Sequence, residues 1–319
     1  MRVKVLGSAA GGGFPQWNCG CSNCNRLREG VFKGSARTQA QVGVSPAPGK
    51  WFLLNASPDL RQQILANPEF APAGETRSTP ITTVFLTSAD VDCVMGLLHL
   101  REFQPLTIYA TEGVRRAVTE ENSLFRTLER AAPPVKWETL VIGKQITVCA
   151  DAAAVAGKNA SVSCAAVSVG GNFPDYVSGA LRGKLREEEA TIGLEFAAGG
   201  KKLFYAPNLP GRGEDWKRVC SESDVALLDG TFWTDDELLR VRGSGNTARE
   251  MGHLPLSGAG GLLEQFSARA DASGAGKKAR RVLIHMNNTN PVLDEESAAY
   301  RAAREAGWEI AFDGMEIEL

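Results

Sequence analysis

The sequence predicts an α/β protein, on two observations. Short apolar runs rich in β-branched residues recur along its 319 residues, separated by polar loops and by stretches with helical spacing. Residues 82–103 show this order most clearly, because a buried strand at 82–87 is followed by polar groups and then by apolar residues at helical spacing. The ends of such strands are where α/β proteins bind ligands. We therefore expect a functional site at residues 88–93.

The composition is that of an ordinary soluble protein. Hydrophobic residues make up 43% and charged residues 23%, and the net charge of −2 gives no argument for nucleic acid or an anionic membrane as partner. No apolar run approaches the roughly 20 residues that span a bilayer, and the N-terminus lacks the apolar region of a signal peptide. We expect a cytoplasmic protein without membrane insertion. No linker divides the chain, so one domain is expected over residues 1–319.

Three of the seven cysteines form a candidate zinc site. An odd number of cysteines fits reduced thiols and metal ligands better than a disulfide framework. Cys19, Cys21 and Cys24 lie within six residues, a density that tetrahedral zinc requires and that packing does not. The sequence therefore predicts a structural Zn²⁺, with three free thiols on a loop as the alternative.

The first half of the chain predicts strands joined by turns. Residues 3–6 form the first strand, and 8–13 form a tight glycine-rich turn, because no phosphate-binding frame accompanies the glycines. A strand at 51–55 leads into a helix, with Ser57 as the expected N-cap and Pro58 at the first helical position. The other elements expected here are strands at 105–111, 135–148 and 160–169 and a helix at 112–128.

The second half adds strands and a long loop. The strand at 225–228 ends in Asp229, which is either a ligand, a residue that hydrogen-bonds a ligand, or the cap of the next turn. The basic, glycine-rich loop at 240–249 is expected to cover a pocket. His253 follows it and is expected to transfer protons, with a capping or core histidine as the alternative. The other expected elements are a hairpin of strands 192–196 and 201–206, an exposed connection at 268–281, a strand at 281–284 ending at His285, a helix at 297–307 and closing strands within 308–317.

The polar stretch at 286–291 follows a buried strand directly. Its polar side chains require hydrogen-bond partners. We expect Asn287, Asn288 and Asn290 to contact a ligand, with a turn that hydrogen-bonds to itself as the alternative.

Residues 88–97 resemble a known metal-binding motif. They read Ser-x-Asp-x-Asp-Cys-x-x-Gly-Leu, which is similar to the His-x-His-x-Asp-His-x-x-Gly-Leu motif of the metallo-β-lactamase superfamily. Asp92 is retained, while Ser88, Asp90 and Cys93 replace the three histidines. The resemblance implies an αββα sandwich of two mixed β-sheets flanked by helices. Because Asn208 also stands where a bridging Asp often occurs, we expect one metal ion rather than two.

Longer strings resemble one family, that of pyrroloquinoline quinone (PQQ) biosynthesis protein B, over essentially the whole chain. The resemblance implies a role in assembling the quinone from a cross-linked glutamate–tyrosine precursor, as an iron-dependent hydroxylase of the tyrosine ring. The alternatives are a carrier of the quinone or its precursor and a metal-dependent hydrolase. The expected partner is this small or short peptide-derived precursor, and a homodimer is left open. The sequence segments that carry the resemblance are residues 9–19, 55–59, 204–207, 251–254, 285–291 and 311–315.

The family resemblance also implies a catalytic metal site. The family usually has Asp-His where this chain has Asp92 and Cys93. The expected ligands are Asp92, His285 and either Cys93 or Asp90, which suits Fe²⁺, although a thiolate also binds Zn²⁺ well. His253 and the polar stretch at 286–291 are expected to position the substrate or to move protons.

The resemblance implies a fourth ligand for the structural zinc. Related phosphodiesterases with the same cysteine triplet supply it three residues after their last active-site histidine. The matching residue is Asn288, which is a poor zinc ligand. The alternative fourth ligand is a water molecule.

Overall fold

Two seven-stranded sheets form the centre of the computed structural model. The structure describes residues 1–72, 77–102, 104–130, 135–149, 161–213, 215–266 and 279–319. The exposed connection predicted at 268–281 falls largely outside these residues.

The first sheet combines parallel and antiparallel strands. It contains β1 (Arg2–Gly7), β2 (Gln41–Ala47), β3 (Lys50–Leu54), β4 (Ile81–Phe85), β5 (Thr107–Ala110), β6 (Lys136–Thr139) and β14 (Glu316–Glu318). The strand order is β14-β1-β2-β3-β4-β5-β6. Strands β3 to β6 pair in parallel, and the remaining pairs are antiparallel.

The second sheet is mixed in the same way. It contains β7 (Gln145–Cys149), β8 (Ser161–Ser168), β9 (Ile192–Ala198), β10 (Lys201–Ala206), β11 (Val225–Asp229), β12 (Arg280–Ile284) and β13 (Trp308–Ile310). The strand order is β13-β12-β11-β10-β9-β8-β7, with β10 to β13 parallel. The hairpin predicted in this region is β9 and β10, which pair antiparallel.

Alternation along the strands produces three apolar layers. Phe85 of β4 points between the sheets and meets Phe196 of β9 edge-on, with ring centroids 5.0 Å apart. Its neighbour Val84 points the opposite way, into a core beneath the helices of the first sheet. A third core that includes Trp216 lies between the second sheet and its helices. The expected αββα sandwich is confirmed.

The helices are short and lie outside the sheets. They are α1 (Ser22–Arg28), α2 (Leu60–Ala66), α3 (Val91–Val94), α4 (Glu112–Glu121), α5 (Gly179–Arg182), α6 (Asp215–Glu222), α7 (Glu237–Arg242), α8 (Leu262–Gln265) and α9 (Ala298–Glu305), with 3₁₀ turns that include Met95–Leu100 and Ser123–Arg130. In the described ranges, none of them has the length and apolarity to cross a bilayer.

Two predicted helix boundaries are wrong. The helix expected at 112–128 ends at Glu121 and is followed by the 3₁₀ turn Ser123–Arg130. Ser57 is not the N-cap of α2, which begins at Leu60 with Asp59 before it. The Ser57 hydroxyl instead accepts a hydrogen bond from the Asp59 N–H at 3.0 Å, so it stabilises the turn that precedes the helix.

Candidate metal centre

Strand ends from the second sheet and the first turn of α3 form the site. β11 and β12 are parallel neighbours, with Asp229 opposite Ile284. Asp229 and His285 therefore leave the sheet at the same edge. Asp92 comes from α3, which follows β4 of the first sheet. The sandwich thus brings together two residues, Asp92 and His285, that lie 193 positions apart in the sequence.

The backbone of His285 is left-handed, with φ of 64°. This conformation costs a non-glycine residue about 1–3 kcal/mol. Hydrogen bonds on both sides hold it, because the Met286 N–H donates to the Ser8 carbonyl at 3.0 Å and the Gly230 N–H donates to the Ile284 carbonyl at 2.7 Å. The strained backbone turns the imidazole ring toward Asp92.

The Thr231 hydroxyl determines which nitrogen of His285 is available. Its oxygen lies 2.6 Å from Asp229 Oδ1 and 2.8 Å from His285 Nδ1. A hydroxyl has one proton, and a carboxylate can only accept. The nearer of its two acceptors is Asp229, since the His285 carbonyl oxygen lies at 2.9 Å. Thr231 therefore donates to Asp229 and accepts from His285 Nδ1–H, which leaves Nε2 directed at Asp92. Sequence reasoning did not single out Thr231, although its place two residues after a strand-end carboxylate was a usable signal.

Asp229 also orients the second histidine. Its Oδ2 lies 2.7 Å from His253 Nδ1 and accepts the Leu209 N–H at 2.8 Å. The rings of His253 and His285 stack with centroids 5.6 Å apart. Burial acts to raise the pKa of Asp229, but the attraction of His253, its hydrogen bond and the charge of His285 hold that pKa below its usual value. Asp229 also caps the turn that follows β11, as predicted, because its Oδ1 accepts the Thr231 N–H at 2.9 Å. Its role as a metal ligand stays a prediction; its ligand atom and those of His253 and His285 all lie within 4.8 Å of one another.

A cation is needed between Asp92 and His285. Asp92 Oδ2 and His285 Nε2 are 2.8 Å apart. Burial acts to lower the pKa of His285, but the hydrogen bond to Asp92 and the charges of Asp92, Asp229 and Asp90 raise it above its ordinary value. Burial acts to raise the pKa of Asp92, and His285 holds it low. Either a proton or a metal ion satisfies this pair, and 2.8 Å is the length of a direct, charge-assisted hydrogen bond.

The structure places Asp90 and Cys93 to the side of that pair. Asp90 Oδ2 accepts hydrogen bonds from Ser88 Oγ at 2.7 Å and from Asn208 Nδ2 at 3.2 Å. Cys93 packs in the core of the first sheet, where burial and the charges of Asp92 and Asp90 raise the pKa of its thiol well above the usual value. Among the described residues, neither belongs to a group of three whose ligand atoms all lie within 4.8 Å of one another. The third ligand stays a prediction.

The pair opens into a cleft of about 470 Å³. Loops from both sheets line it, including the turn predicted at 8–13, in which Gly12 and Gly13 have the expected positive φ. Met251 and His253, which follow the predicted cover loop, form part of the wall. The lining residues are Gly11, Gly12, Gln16, Gln39, Asp90, Val91, Asp92, Cys93, Pro207, Asn208, Met251, His253 and His285.

The three cysteines of the N-terminal loop converge as predicted for a tetrahedral site. Ligand atoms of Cys19, Cys21 and Cys24 all lie within 4.8 Å of one another. The side-chain amide of Asn288 completes the group, with its Nδ2 at 3.0 Å from Cys19 Sγ, 3.4 Å from Cys24 Sγ and 3.5 Å from Cys21 Sγ. An amide can also present its oxygen, which is nearly indistinguishable from the nitrogen in shape.

The other two asparagines of the polar stretch bond within the protein. Asn287 Nδ2 donates to Thr289 Oγ1 at 2.6 Å. Asn290 is fully buried, donates to the Gly230 carbonyl at 2.8 Å and accepts the Val292 N–H at 2.9 Å. The bonds of Asn287 to Thr289 and of Val292 to Asn290 are those of a self-bonded turn, whereas the bond of Asn290 to Gly230 joins this turn to the end of β11. A role of these residues toward a ligand stays a prediction.

Comparison with known proteins shows both the superfamily and the nearer relatives. A beta-lactamase superfamily domain matches residues 50–286. Coenzyme PQQ synthesis protein B from Methylorubrum populi is 41% identical over the full length of both chains, and the protein of that name from Nitrosococcus oceani is 42% identical, also over the full length of both. The crystal structure of Zn(2+)-bound PqqB from Methylobacterium extorquens is 40% identical, covers all of both chains and has a TM-score of 0.86. A diphosphatase of the PhnP family, 18% identical over 100% of this chain and 97% of its own with a TM-score of 0.61, shares the fold.

Proposed function

The chain belongs to the coenzyme PQQ synthesis protein B family, and from this membership we propose that it acts in PQQ biosynthesis as an iron-dependent hydroxylase. Its substrate in this proposal is the tyrosine ring of a cross-linked glutamate–tyrosine precursor, processed in the cytoplasm by a one-domain protein. The supporting observation is the pair of Asp92 Oδ2 and His285 Nε2, which face each other at 2.8 Å beside an open cleft.

The donor set fits a redox-active metal. Asp92 and His285 would hold Fe²⁺, with Cys93 or Asp90 as the third ligand. Asp92 and His285 provide one carboxylate and one imidazole of the kind found in the 2-His-1-carboxylate face of non-haem iron sites, and iron would supply the activation of O₂ when bound. Thr231 keeps the His285 proton on Nδ1, so that Nε2 is free to bind the metal.

His253 would take up the phenolic proton of the substrate. Its Nδ1 is fixed by Asp229, and the ring lines the cleft. Within the described chain, Nε2 makes no hydrogen bond, so it is available as a base. The Asp229 carboxylate, which is held ionised, would stabilise the resulting imidazolium and keep its orientation.

The cysteine triplet would hold a structural Zn²⁺. Three thiols and the Asn288 amide surround one point. Cys19, Cys21 and Cys24 supply the thiolates that zinc prefers, and Asn288 or a water supplies the fourth ligand. Because Asn288 lies three residues after His285, the zinc would also help to fix the loop that carries the catalytic histidine.

Oxygen incorporation tests the hydroxylase. The protein is reconstituted with Fe²⁺ under anaerobic conditions and is then given a tyrosine-like substrate and ¹⁸O₂. The mass of the product is measured by mass spectrometry. Wild type should add one labelled oxygen to the ring. Asp92→Ala and His285→Ala should abolish this while retaining the zinc and the fold. A wild-type product without label contradicts the proposal.

The second candidate is a carrier of the quinone or its precursor. It is favoured by the position of Asp90, which hydrogen-bonds to Ser88, and of Cys93, which packs in the core, because neither is grouped with Asp92 and His285 as a third ligand among the described residues. A carrier would bind PQQ tightly without incorporating oxygen. His285→Ala would then bind PQQ as well as wild type, because binding would not depend on the metal.

A further inference from the structure

Gly11, which has no side chain, lies next to Asp92, the proposed metal-binding carboxylate. A Cβ atom added at Gly11 would lie 3.6 Å from Asp92 Oδ2, the oxygen that faces His285 Nε2. The φ of Gly11 is not positive, unlike those of Gly12 and Gly13. The backbone at residue 11 therefore lies outside the left-handed region that favours glycine, and a Cβ there would make ordinary van der Waals contact with Asp92.

The turn that carries Gly11 is fixed to the same strand end as His285. The Ala10 N–H donates to the Met286 carbonyl at 2.8 Å, and the Met286 N–H donates to the Ser8 carbonyl at 3.0 Å. On the other side, the Gly12 N–H donates to Gln39 Oε1 at 3.1 Å. The Cβ of a side chain at residue 11 could not move away from Asp92 without breaking these hydrogen bonds. A methyl group added there would therefore remain next to the carboxylate.

We propose that Gly11 is a specificity-determining position, whose missing side chain leaves room for a flat aromatic ring beside Asp92 Oδ2. The inference rests on the proposed function and adds a steric selection to it. Apolar atoms of Met251 and Pro207 line the same cleft and suit an aromatic face. A methyl group at residue 11 would occupy the space of the ring edge. A β-branched side chain would cover the carboxylate on the substrate side.

Two substitutions and two probes of different size test this inference without turnover. Gly11→Ala and Gly11→Val are loaded with Fe²⁺ under anaerobic conditions, and binding of L-tyrosine and of nitric oxide is measured separately. Gly11→Ala should weaken L-tyrosine binding about tenfold, which is the effect of one carbon in a fitted pocket, and Gly11→Val should abolish it. Iron content and nitric oxide binding should remain as in wild type. Gly179→Ala is the matched control, because a Cβ there meets nothing within 4 Å.

Three results would overturn the inference. The first is that Gly11→Val binds L-tyrosine as wild type does. The second is that wild type itself fails to bind L-tyrosine. The third is that Gly11→Ala loses iron or nitric oxide binding together with L-tyrosine, since Gly11 would then serve the metal site rather than the substrate. The labelled-oxygen experiment tests the hydroxylase activity separately. The role inferred for Gly11 can therefore be refuted while the proposed hydroxylase activity is retained.

Discussion

Replacing Thr231 by valine removes the one hydroxyl that connects Asp229 to His285. Valine has nearly the same shape, so packing is preserved, but the 2.6 Å and 2.8 Å contacts of Oγ1 are lost. His285 Nδ1–H is then buried without its partner. Asp229 Oδ1 keeps the backbone N–H of residue 231 at 2.9 Å. The cost falls mainly on the histidine, and leaving one such buried group unpaired destabilises a protein by about 1–3 kcal/mol.

The effect on metal binding should exceed the effect on folding. Without Thr231 as acceptor, the Nδ1–H tautomer of His285 is no longer favoured, and the ring can rotate away from Asp92. Loss of such a supporting hydrogen bond typically lowers metal affinity about 10–100-fold. Competition titration with a chromophoric chelator measures the affinity, and urea unfolding measures the free energy. Thr231→Ser restores the hydroxyl and should recover most of the affinity.

Two results would refute this reasoning about Thr231. If Thr231→Val binds the metal as wild type does, the hydroxyl does not control the His285 tautomer. If Thr231→Ser is as weak as Thr231→Val, the lost affinity comes from altered packing. A parallel loss at the cysteine site would show that the substitution disturbs the whole loop.

Three further predictions concern other residues. Cys21→Ser should release one zinc per chain and lower the melting temperature, whereas Cys149→Ser, at an exposed thiol, should change neither when metal content and thermal unfolding are measured. Cys93→His should strengthen Fe²⁺ binding, and an unchanged affinity in the same competition titration would contradict it. Burial raises the pKa of Glu237 from 4.5 to about 7. Between these two pH values the protein therefore takes up a proton when it folds. The free energy of unfolding should fall by about 3 kcal/mol as the pH rises from 4.5 to 7. Glu237→Gln should remove that dependence, as urea unfolding at several pH values would show.

Strands with strong alternation could be predicted, and those shaped by tertiary contacts could not. The strand expected at 82–87 is β4, which begins one residue earlier and ends two residues earlier, at Phe85. β2 was missed because Gly43 and Pro46 interrupt its pattern, and both residue types weaken a strand prediction. The structure explains the glycine, since a Cβ at Gly43 would lie 2.9 Å from the ring of Phe70. That contact depends on the packed fold and leaves no local signal.

The two residues Asp92 and His285 could be singled out for a different reason. Asp92 was identified from the spacing of a motif, and His285 from its position at a strand end. Parallel pairing of β11 and β12 explains only why Asp229 and His285 leave the sheet at one edge. Asp92 follows β4 of the other sheet, so its approach to His285 depends on how the two sheets pack. Thr231 was not predictable in the same way, because hydroxyl groups are common in turns. Only its two distances show that it links Asp229 to His285.

Cys93 shows why spacing alone could not complete the ligand set. α3 is docked on the chain after β3, because the Ala56 N–H donates to the Cys93 carbonyl at 2.7 Å and the Gly96 N–H donates to the Ala56 carbonyl at 2.8 Å. A Cβ at Gly96 would lie 2.2 Å from the Ser57 carbonyl oxygen, so the helix cannot rotate. With Asp92 facing His285, the next residue must point partly into the core. A cysteine sulfur, directly on Cβ, stays at that depth, whereas the longer imidazole of a histidine could reach the cleft. We therefore expect the length of the side chain at residue 93 to decide whether this residue can supply the third ligand, which Asp90 would otherwise supply.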